Sequence, residues 1–451
     1  MEYPLFQKIS GYFSTSSITA GFFSALSGSL FIYLSHWEIT DSRIESVSAI
    51  LYLLFMLAGK RRSWAWNGFF TGFLWFGWIG ISFLHYGHPW AVPFVSLLVS
   101  SVYALYFWFI AFCAEKVFIL MKRFSLLSSP SYACPLHMLS RIAALLSMSY
   151  IHPFGFDWFK PELVLVHTPF GVDKIRFFFL LCVLALPICL GRRKKSLYSW
   201  ENKVFVPAAV FLIAIACNPG HTLILPEDPS GKIFLAGTMV PVEKKWSPRN
   251  FDSQLSMVLR SIDRAIDANW STILFPESVL PCFLNREPGL LNMLKKRSQK
   301  IHIILGALYL TPDRQNRNAA YCFHKGNYTV ANKVVLVPFG EANPFPGWAG
   351  RWINSIFFDG APDYQAASTP TDFLINGKIF RPAVCFEGTS ERLYADHPRH
   401  LLLLSNNGWF HPSVEPALQR LLLEYYHRKY GTAIWHSVNM GPSYVIRNPG
   451  N

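Results

Sequence analysis

The chain has 451 residues, of which 51% are hydrophobic and only 15% charged, and its formal net charge is +14. A soluble protein carries about 25% charged residues. The deficit here falls in the first half, which excludes a uniformly soluble chain. Nucleic-acid binding is not supported either, because the sequence holds no basic stripe or binding motif. Lys and Arg gather instead in short clusters beside apolar runs, as in cytoplasmic loops that face anionic lipid.

Seven apolar runs come first, at about 18–37, 44–57, 64–86, 90–113, 135–151, 175–190 and 204–217. Several are shorter than the roughly 20 residues that cross a hydrocarbon core. The fifth is the weakest, since it contains His137 and Arg141. Basic clusters at Lys60-Arg61-Arg62, Lys122-Arg123 and Arg192-Arg193-Lys194-Lys195 should all face the cytoplasm. That requires an even number of crossings between each pair, which favours counting the fifth run as a span. With the N-terminus inside, the seventh span leads outward. The first run reads as an anchor rather than a cleavable signal.

The plan is therefore a transmembrane domain over 1–217 with about seven helices, a linker over 218–230, and an extracytoplasmic domain over 231–451. The outer loop at 151–158 carries Phe154, Phe156 and Trp158. They suit either an interfacial aromatic belt or contact with a substrate.

From residue 231 the pattern changes. Short apolar runs at 233–240, 273–275, 301–305, 333–337, 381–384 and 401–404 read as strands bounded by turn residues. Between the first two, Leu255, Val258, Leu259, Ile262 and Ile266 recur at helical spacing over 251–268. Alternating strands and helices imply a layered α/β domain.

Three of the strand ends carry chemistry. Glu277 follows the 273–275 run, Lys333 opens the run that leads to Glu341, and Cys385 and Glu387 follow 381–384. A thiol attacks an ester or amide as thiolate, so it needs a base within reach, and Glu277 can serve. The tetrahedral oxyanion needs a fixed positive charge, and Lys333 can supply it. Glu341 can orient Lys333 or assist proton transfer. Taken singly, each residue has an ordinary reading as a core thiol or a solvated charge. No histidine stands out as a thiol partner. The chain has eight cysteines, with no CxxC pair to suggest structural zinc. A Cys282–Cys322 disulfide is left open.

In this order, the Glu277, Lys333 and Cys385 segments resemble the nitrilase superfamily. The whole chain resembles the apolipoprotein N-acyltransferase family. The resemblance is carried by Glu243-Lys244-Lys245-Trp246, Phe275-Pro276-Glu277-Ser278, the stretch from Asn332 to Glu341, Val384-Cys385-Phe386-Glu387 and Ser405-Asn406-Asn407-Gly408-Trp409-Phe410. The 151–158 loop looks like a shorter branch of that family.

The resemblance implies a polytopic α-helical membrane domain joined to an αββα sandwich. It implies Glu277 as general base, Lys333 as oxyanion stabiliser and Cys385 as nucleophile, with Glu341 and Glu387 in support. Trp246 matches a mobile-loop tryptophan, and Trp409 and Phe386 are placed with it at the substrate. The reaction implied takes an acyl chain from a phospholipid, expected to be phosphatidylethanolamine, onto Cys385 as a thioester. The acyl group then passes to the N-terminal amine of diacylglyceryl-cysteine on an apolipoprotein. Neither metal nor nucleotide cofactor is implied. The expected setting is the bacterial inner membrane, with the catalytic domain periplasmic and the protein monomeric.

An aromatic stretch over 343–363, which includes Phe345, Trp348, Trp352 and Phe357, reads as an arm that admits acyl chains. Three departures from the family stand out. Phe386 replaces a common Tyr, Asn407-Gly408 replaces a common Asp-Ala, and no final transmembrane helix precedes Asn451. Two rival readings are a membrane-tethered amidase that ends with water and a nonenzymatic assembly component. The intact Glu277, Lys333 and Cys385 set argues against the second.

Overall fold

The computed structural model describes residues 11–123, 132–192, 200–220, 222–228, 230–357 and 362–448. The 193–195 part of the third basic cluster and Phe358 lie outside them. So do the side chains of Ile353, Ile356 and Phe357.

The chain divides into two compact units. The first holds residues 1–80, 90–153 and 159–220. Its helices are α1 (Thr15–His36), α2 (Ser42–Ala58), α3 (Arg61–Phe76), α4 (Ala91–Met121), α5 (Ala133–Met148), α6 (Lys174–Arg192) and α7 (Trp200–Ala216). Each corresponds to one apolar run. Among the described residues, four stretches are long and apolar enough to cross a membrane: Thr15–His36, Arg61–His85, Ala91–Met121 and Lys174–Gly191.

Close helix packing rests on small residues. A Cβ on Gly68 of α3 would lie 2.3 Å from the Tyr103 carbonyl of α4, and one on Gly72 would lie 2.8 Å from Ser100 Cα. Apolar lipid gives helices little reason to associate, so close backbone approach and buried hydrogen bonds hold such a bundle. Asn67 illustrates the second device by donating to Ser24 Oγ at 2.7 Å.

The second unit comprises 81–89, 154–158 and 221–451. Two short segments from the helical half of the sequence are thus part of it. One six-stranded sheet runs β1 (Leu223–Leu225), β12 (Tyr444–Arg447), β11 (Ala433–Asn439), β10 (His400–Asn406), β9 (Lys378–Val384), β8 (Phe373–Ile375). The other runs β2 (Ile233–Leu235), β3 (Thr272–Leu274), β5 (His302–Leu310), β6 (Asn316–His324), β7 (Asn327–Asn332), with β4 (Leu280–Phe283) paired to β5. Strands β2, β3 and β5 are parallel, as are β9, β10 and β11.

Alternation along β5 builds the layers. Ile304 joins Ile233, Leu274, Val384, Leu402 and Leu404 in a core drawn from both sheets. Ile303 and Leu305 face the other way, onto Val258 and Ile262 of α8 (Phe251–Asp267) and Leu290 and Leu294 of α9 (Pro288–Arg297). Successive side chains on a strand point to opposite faces, so a strand apolar at every position is covered on both. Helix α11 (Glu415–Tyr430) packs on β11 and β12 and buries Leu418, Leu421 and Leu422. The result is an αββα sandwich.

Two expectations need correction, and the open Cys282–Cys322 question is answered. The 333–337 run is not a strand. Its backbone amides are taken by carboxylates, because Val334 N and Val335 N donate to Glu387 Oε2 at 2.8 and 3.3 Å, and Val337 N donates to Glu341 Oε2 at 2.9 Å. Those three amides are not free to join a ladder. The 218–230 stretch, read as linker, holds strand β1, which pairs antiparallel with β12. Finally, Cys322 lies in the core between the sheets, whereas Cys282 packs against the α8–α9 side, so the two thiols face opposite sides of one sheet and do not pair.

Candidate active site

The candidate residues stand where strands stop. After β3 the chain stays against β5, with Phe275 N donating to Ile304 O at 2.9 Å and Gly306 N to Pro276 O at 3.3 Å. A Cβ at Gly306 would fall 2.4 Å from Ser278 N and 2.7 Å from Glu277 Cα. Glycine is therefore required for the backbone bearing Glu277 to settle onto β5.

Lys333 follows β7 directly, and its backbone N donates to Asn318 O at 2.9 Å. Its side chain is 1% exposed, with Nζ 2.7 Å from Glu341 Oε2. The side-chain amide of Asn318 on β6 donates to Glu277 Oε1 at 2.8 Å and to Glu341 Oε1 at 3.0 Å. One buried network thus joins Glu277, Asn318, Glu341 and Lys333.

Cys385 follows β9 at a sharp turn. Its φ is +54°, in the left-handed region that non-glycine residues seldom occupy. Strand β9 ends at Val384, and a 3₁₀ turn over Cys385–Thr389 brings Glu387 back, so Glu387 does not continue the strand alternation. Its Oε1 accepts from Val384 N at 2.7 Å, and its Oε2 accepts from Val334 N. One carboxylate therefore pins the thiol turn to the lysine segment, which supports the left-handed Cys385.

Electrostatics ties these groups together. Burial lifts the Cys385 thiol well above its ordinary range, with Glu277 adding to the effect and Lys333 opposing it. The resting group is a thiol, so attack requires a base. Burial likewise raises Glu277, against the pull of Lys333. Burial opposes the charge on Lys333, but Glu341 and Glu277 outweigh it, so the lysine stays cationic and its pKa is raised. Burial pushes Glu387 up to about 7 despite Lys333 and the backbone amides. A raised carboxyl beside a raised thiol allows a proton to pass between them, and a fixed cation can meet an oxyanion.

The five acid, base and thiol candidates are thus gathered, while the aromatic candidates are scattered. Phe386 is 3% exposed, with its ring stacked on Phe156 at 5.4 Å and Trp158 at 5.9 Å. It presents no face for substrate. The 154–158 segment is accordingly a clamp on the thiol turn, reinforced by Trp158 Nε1 donating to Thr389 Oγ1 at 2.7 Å. Trp409 stacks on Tyr86 at 5.4 Å. Trp246 is partly exposed beside Lys245. Helix α10 (Gly347–Phe357) presents Trp348 and Trp352 at 73% and 64% exposure.

Three groups escaped sequence reading. Asn318 bridges two carboxylates, as above. Lys245 is 2% exposed and donates from Nζ to Glu277 O at 2.6 Å, and burial lowers it to about 8 against the pull of Glu277 and Cys385. Glu415, at the start of α11, is 2% exposed and burial pushes it up to about 8. Only Lys245 left a signal, its place next to Trp246.

An αββα sandwich that gathers a thiol, a lysine and carboxylates, on a chain with a bundle of apolar helices, is the plan of a membrane enzyme of acyl chemistry. Residues 15–211 match the family profile described as the apolipoprotein N-acyltransferase integral membrane domain. An apolipoprotein N-acyltransferase of Wolinella succinogenes is 36% identical over 447 residues, covering 99% of this chain and 100% of the relative. One of Helicobacter pylori is 31% identical over 406 residues, covering 89% and 87%. Among solved structures, an amidase from Nesterenkonia sp. aligns with 51% of this chain and 84% of its own, at 13% identity and a TM-score of 0.33. The chain belongs to the apolipoprotein N-acyltransferase family. It is accordingly a membrane-bound acyltransferase.

Proposed function

We propose that Cys385 carries the acyl group as a thioester between a phospholipid donor and an apolipoprotein acceptor. In the first half, Glu277 takes the Cys385 proton as Sγ attacks the ester carbonyl. The oxyanion faces Lys333, whose charge Glu341 holds in place. The C–O bond then breaks, and Glu277 returns the proton to the departing lysophospholipid oxygen. Cys385 is left as thioester. In the second half, the amine of diacylglyceryl-cysteine attacks the thioester carbonyl. Its proton passes to Glu277 and then to the departing Sγ, giving the amide and free thiol.

Phosphatidylethanolamine is the donor we propose, and water must be kept from the thioester for the amine to win. The exposed tryptophans of α10 would admit the acyl chain. The working setting is the bacterial inner membrane, with 1–217 crossing seven times and 231–451 on the periplasmic side, as a monomer.

The observation that carries this reading is the buried network of Glu277, Asn318, Glu341 and Lys333 beside the strained Cys385 turn. The test incubates purified protein with acyl-labelled phosphatidylethanolamine and looks for hydroxylamine-sensitive label. Label that vanishes in Cys385→Ala is the expected result. No label on folded wild type across several phospholipids would reject the lipid donor.

A further inference from the structure

A cavity of about 750 Å³ opens in the helical unit among α1, α2, α3 and α4. Every residue that lines it belongs to that unit and none is a candidate catalytic residue. One wall holds Lys60, Arg61 and Arg62 at the start of α3, and another holds Ser14, Ser16 and Ser17 at the start of α1. The remaining wall is apolar, with Phe55 and Met56.

Charge is unbalanced there. Among the described residues Glu115 is the only carboxylate of the lining, and Arg61 already engages it at 3.2 Å. The same carboxylate lies 3.8 Å from Arg141, a side chain only 2% exposed. Arg141 stacks over the lining residue Trp64 at 5.0 Å, and its Nε and Nη1 have no hydrogen-bond partner. Arg62 rests on the Tyr12 ring. Three cations, Lys60, Arg61 and Arg62, therefore line a space with one lining carboxylate, and Arg141, behind Trp64, draws on that same Glu115. Within the lining itself, Arg61 Nε is buried without a hydrogen-bond partner, which is costly, and an anion is the natural remedy.

We propose that this cavity binds the phosphoryl head group of an anionic glycerophospholipid. Arginine forks suit phosphate oxygens. The lipid source follows from position: the cavity sits at the ends of α1 and α3, both parts of stretches long enough to cross a membrane, and the Phe55–Met56 wall suits the apolar part of the same molecule. The site is separate from acyl transfer and stands whether or not Cys385 forms a thioester.

The experiment measures phosphatidylglycerol binding to the full-length protein in detergent, by native mass spectrometry and by lipid-induced shift of the melting temperature. Phosphatidylethanolamine and inorganic phosphate are the comparison ligands. Because phosphatidylethanolamine is also the proposed donor at Cys385, each ligand is scored by the binding that Lys60→Ala with Arg62→Ala removes, which should be larger for phosphatidylglycerol than for either comparison ligand. Each cation removed near a lipid surface should weaken binding about fivefold, so Lys60→Ala with Arg62→Ala should lose roughly 25-fold. Arg62→Lys keeps the charge but not the fork, and should lose less affinity than Arg62→Ala. Should the double variant fail to fold, salt titration of wild type serves instead: phosphatidylglycerol binding must weaken as salt rises. Equal retention by wild type and variant, or salt-independent retention, would overturn the site. Phosphate competing as well as the lipid would overturn the lipid assignment, and an equal loss of phosphatidylethanolamine binding would overturn the anionic selectivity.

Discussion

The two units bury charge in opposite ways. In the helical unit, Glu162 is fully buried and faces Lys174 at 2.7 Å, with Ser149 donating to its second oxygen. Glu45, 1% exposed, lies 2.8 Å from His167. Each of these two carboxylates has its own basic partner. In the sandwich, Glu277, Glu341, Glu387 and Glu415 gather around Lys333 and Lys245. One-to-one pairing holds structure, whereas a surplus of acids over cations leaves carboxyls that can hold or release a proton near neutral pH. The first unit uses charge to hold helices together. The second uses it to keep a proton movable.

Removing a charge from each unit tests that difference. Lys333→Met should cut acyl loading on Cys385 by roughly 10²–10³-fold, the scale lost with an oxyanion donor, in protein that still binds lipid. Loading within tenfold of wild type would move the oxyanion role elsewhere. Lys174→Met leaves Glu162 buried without its cation. Breaking such a pair costs about 3–5 kcal/mol, so denaturant melting should fall by that amount while loading per folded molecule stays unchanged. A loading defect in folded Lys174→Met would erase the contrast between the units.

A backbone change should have a smaller effect. Gly306→Ala places a methyl 2.4 Å from Ser278 N, which displaces Glu277 rather than deleting it. Misplacing a catalytic group by about 1 Å can cost 10²-fold, so a loss of up to that size is expected. The single-turnover loading rate measures it, and an unaltered rate would mean the segment can yield without moving Glu277.

Sequence pattern made the layers legible because burial has a period. The seven apolar runs return as α1 to α7, and the 251–268 periodicity returns as α8. What failed was any feature set by a distant partner. The 333–337 run looks like a strand because it is apolar, yet Glu387 and Glu341 hold its amides from 4 to about 50 residues away in sequence. Phe386 looked available to substrate until the 154–158 segment covered it. Asn318 reads as one polar residue in a strand, and only the β5–β6–β7 register brings it between Glu277 and Glu341. The strand-end positions of Glu277 and Cys385 could be read because such ends are visible as the limits of apolar runs.

Glu415 gives the finest test of the surplus of acids. It is nearly buried, its Oε2 has no hydrogen-bond partner, and α11 packs against the turn that carries Cys385. Burial, with Glu277 adding to it, pushes its carboxyl up from 4.5 to about 8. The sign follows from which state holds the proton. Between about pH 4.5 and 8 the folded protein binds a proton that the unfolded chain has released, so this group's contribution falls as pH rises through that window. Glutamine has the same shape and no proton to lose. Glu415→Gln should therefore gain on wild type in melting temperature as pH is raised from 5 to 8, with the two closest at pH 5. A difference that stays constant across the window would mean that Glu415 titrates near its ordinary value. The surplus of acids around Lys333 would then leave no movable proton at Glu415.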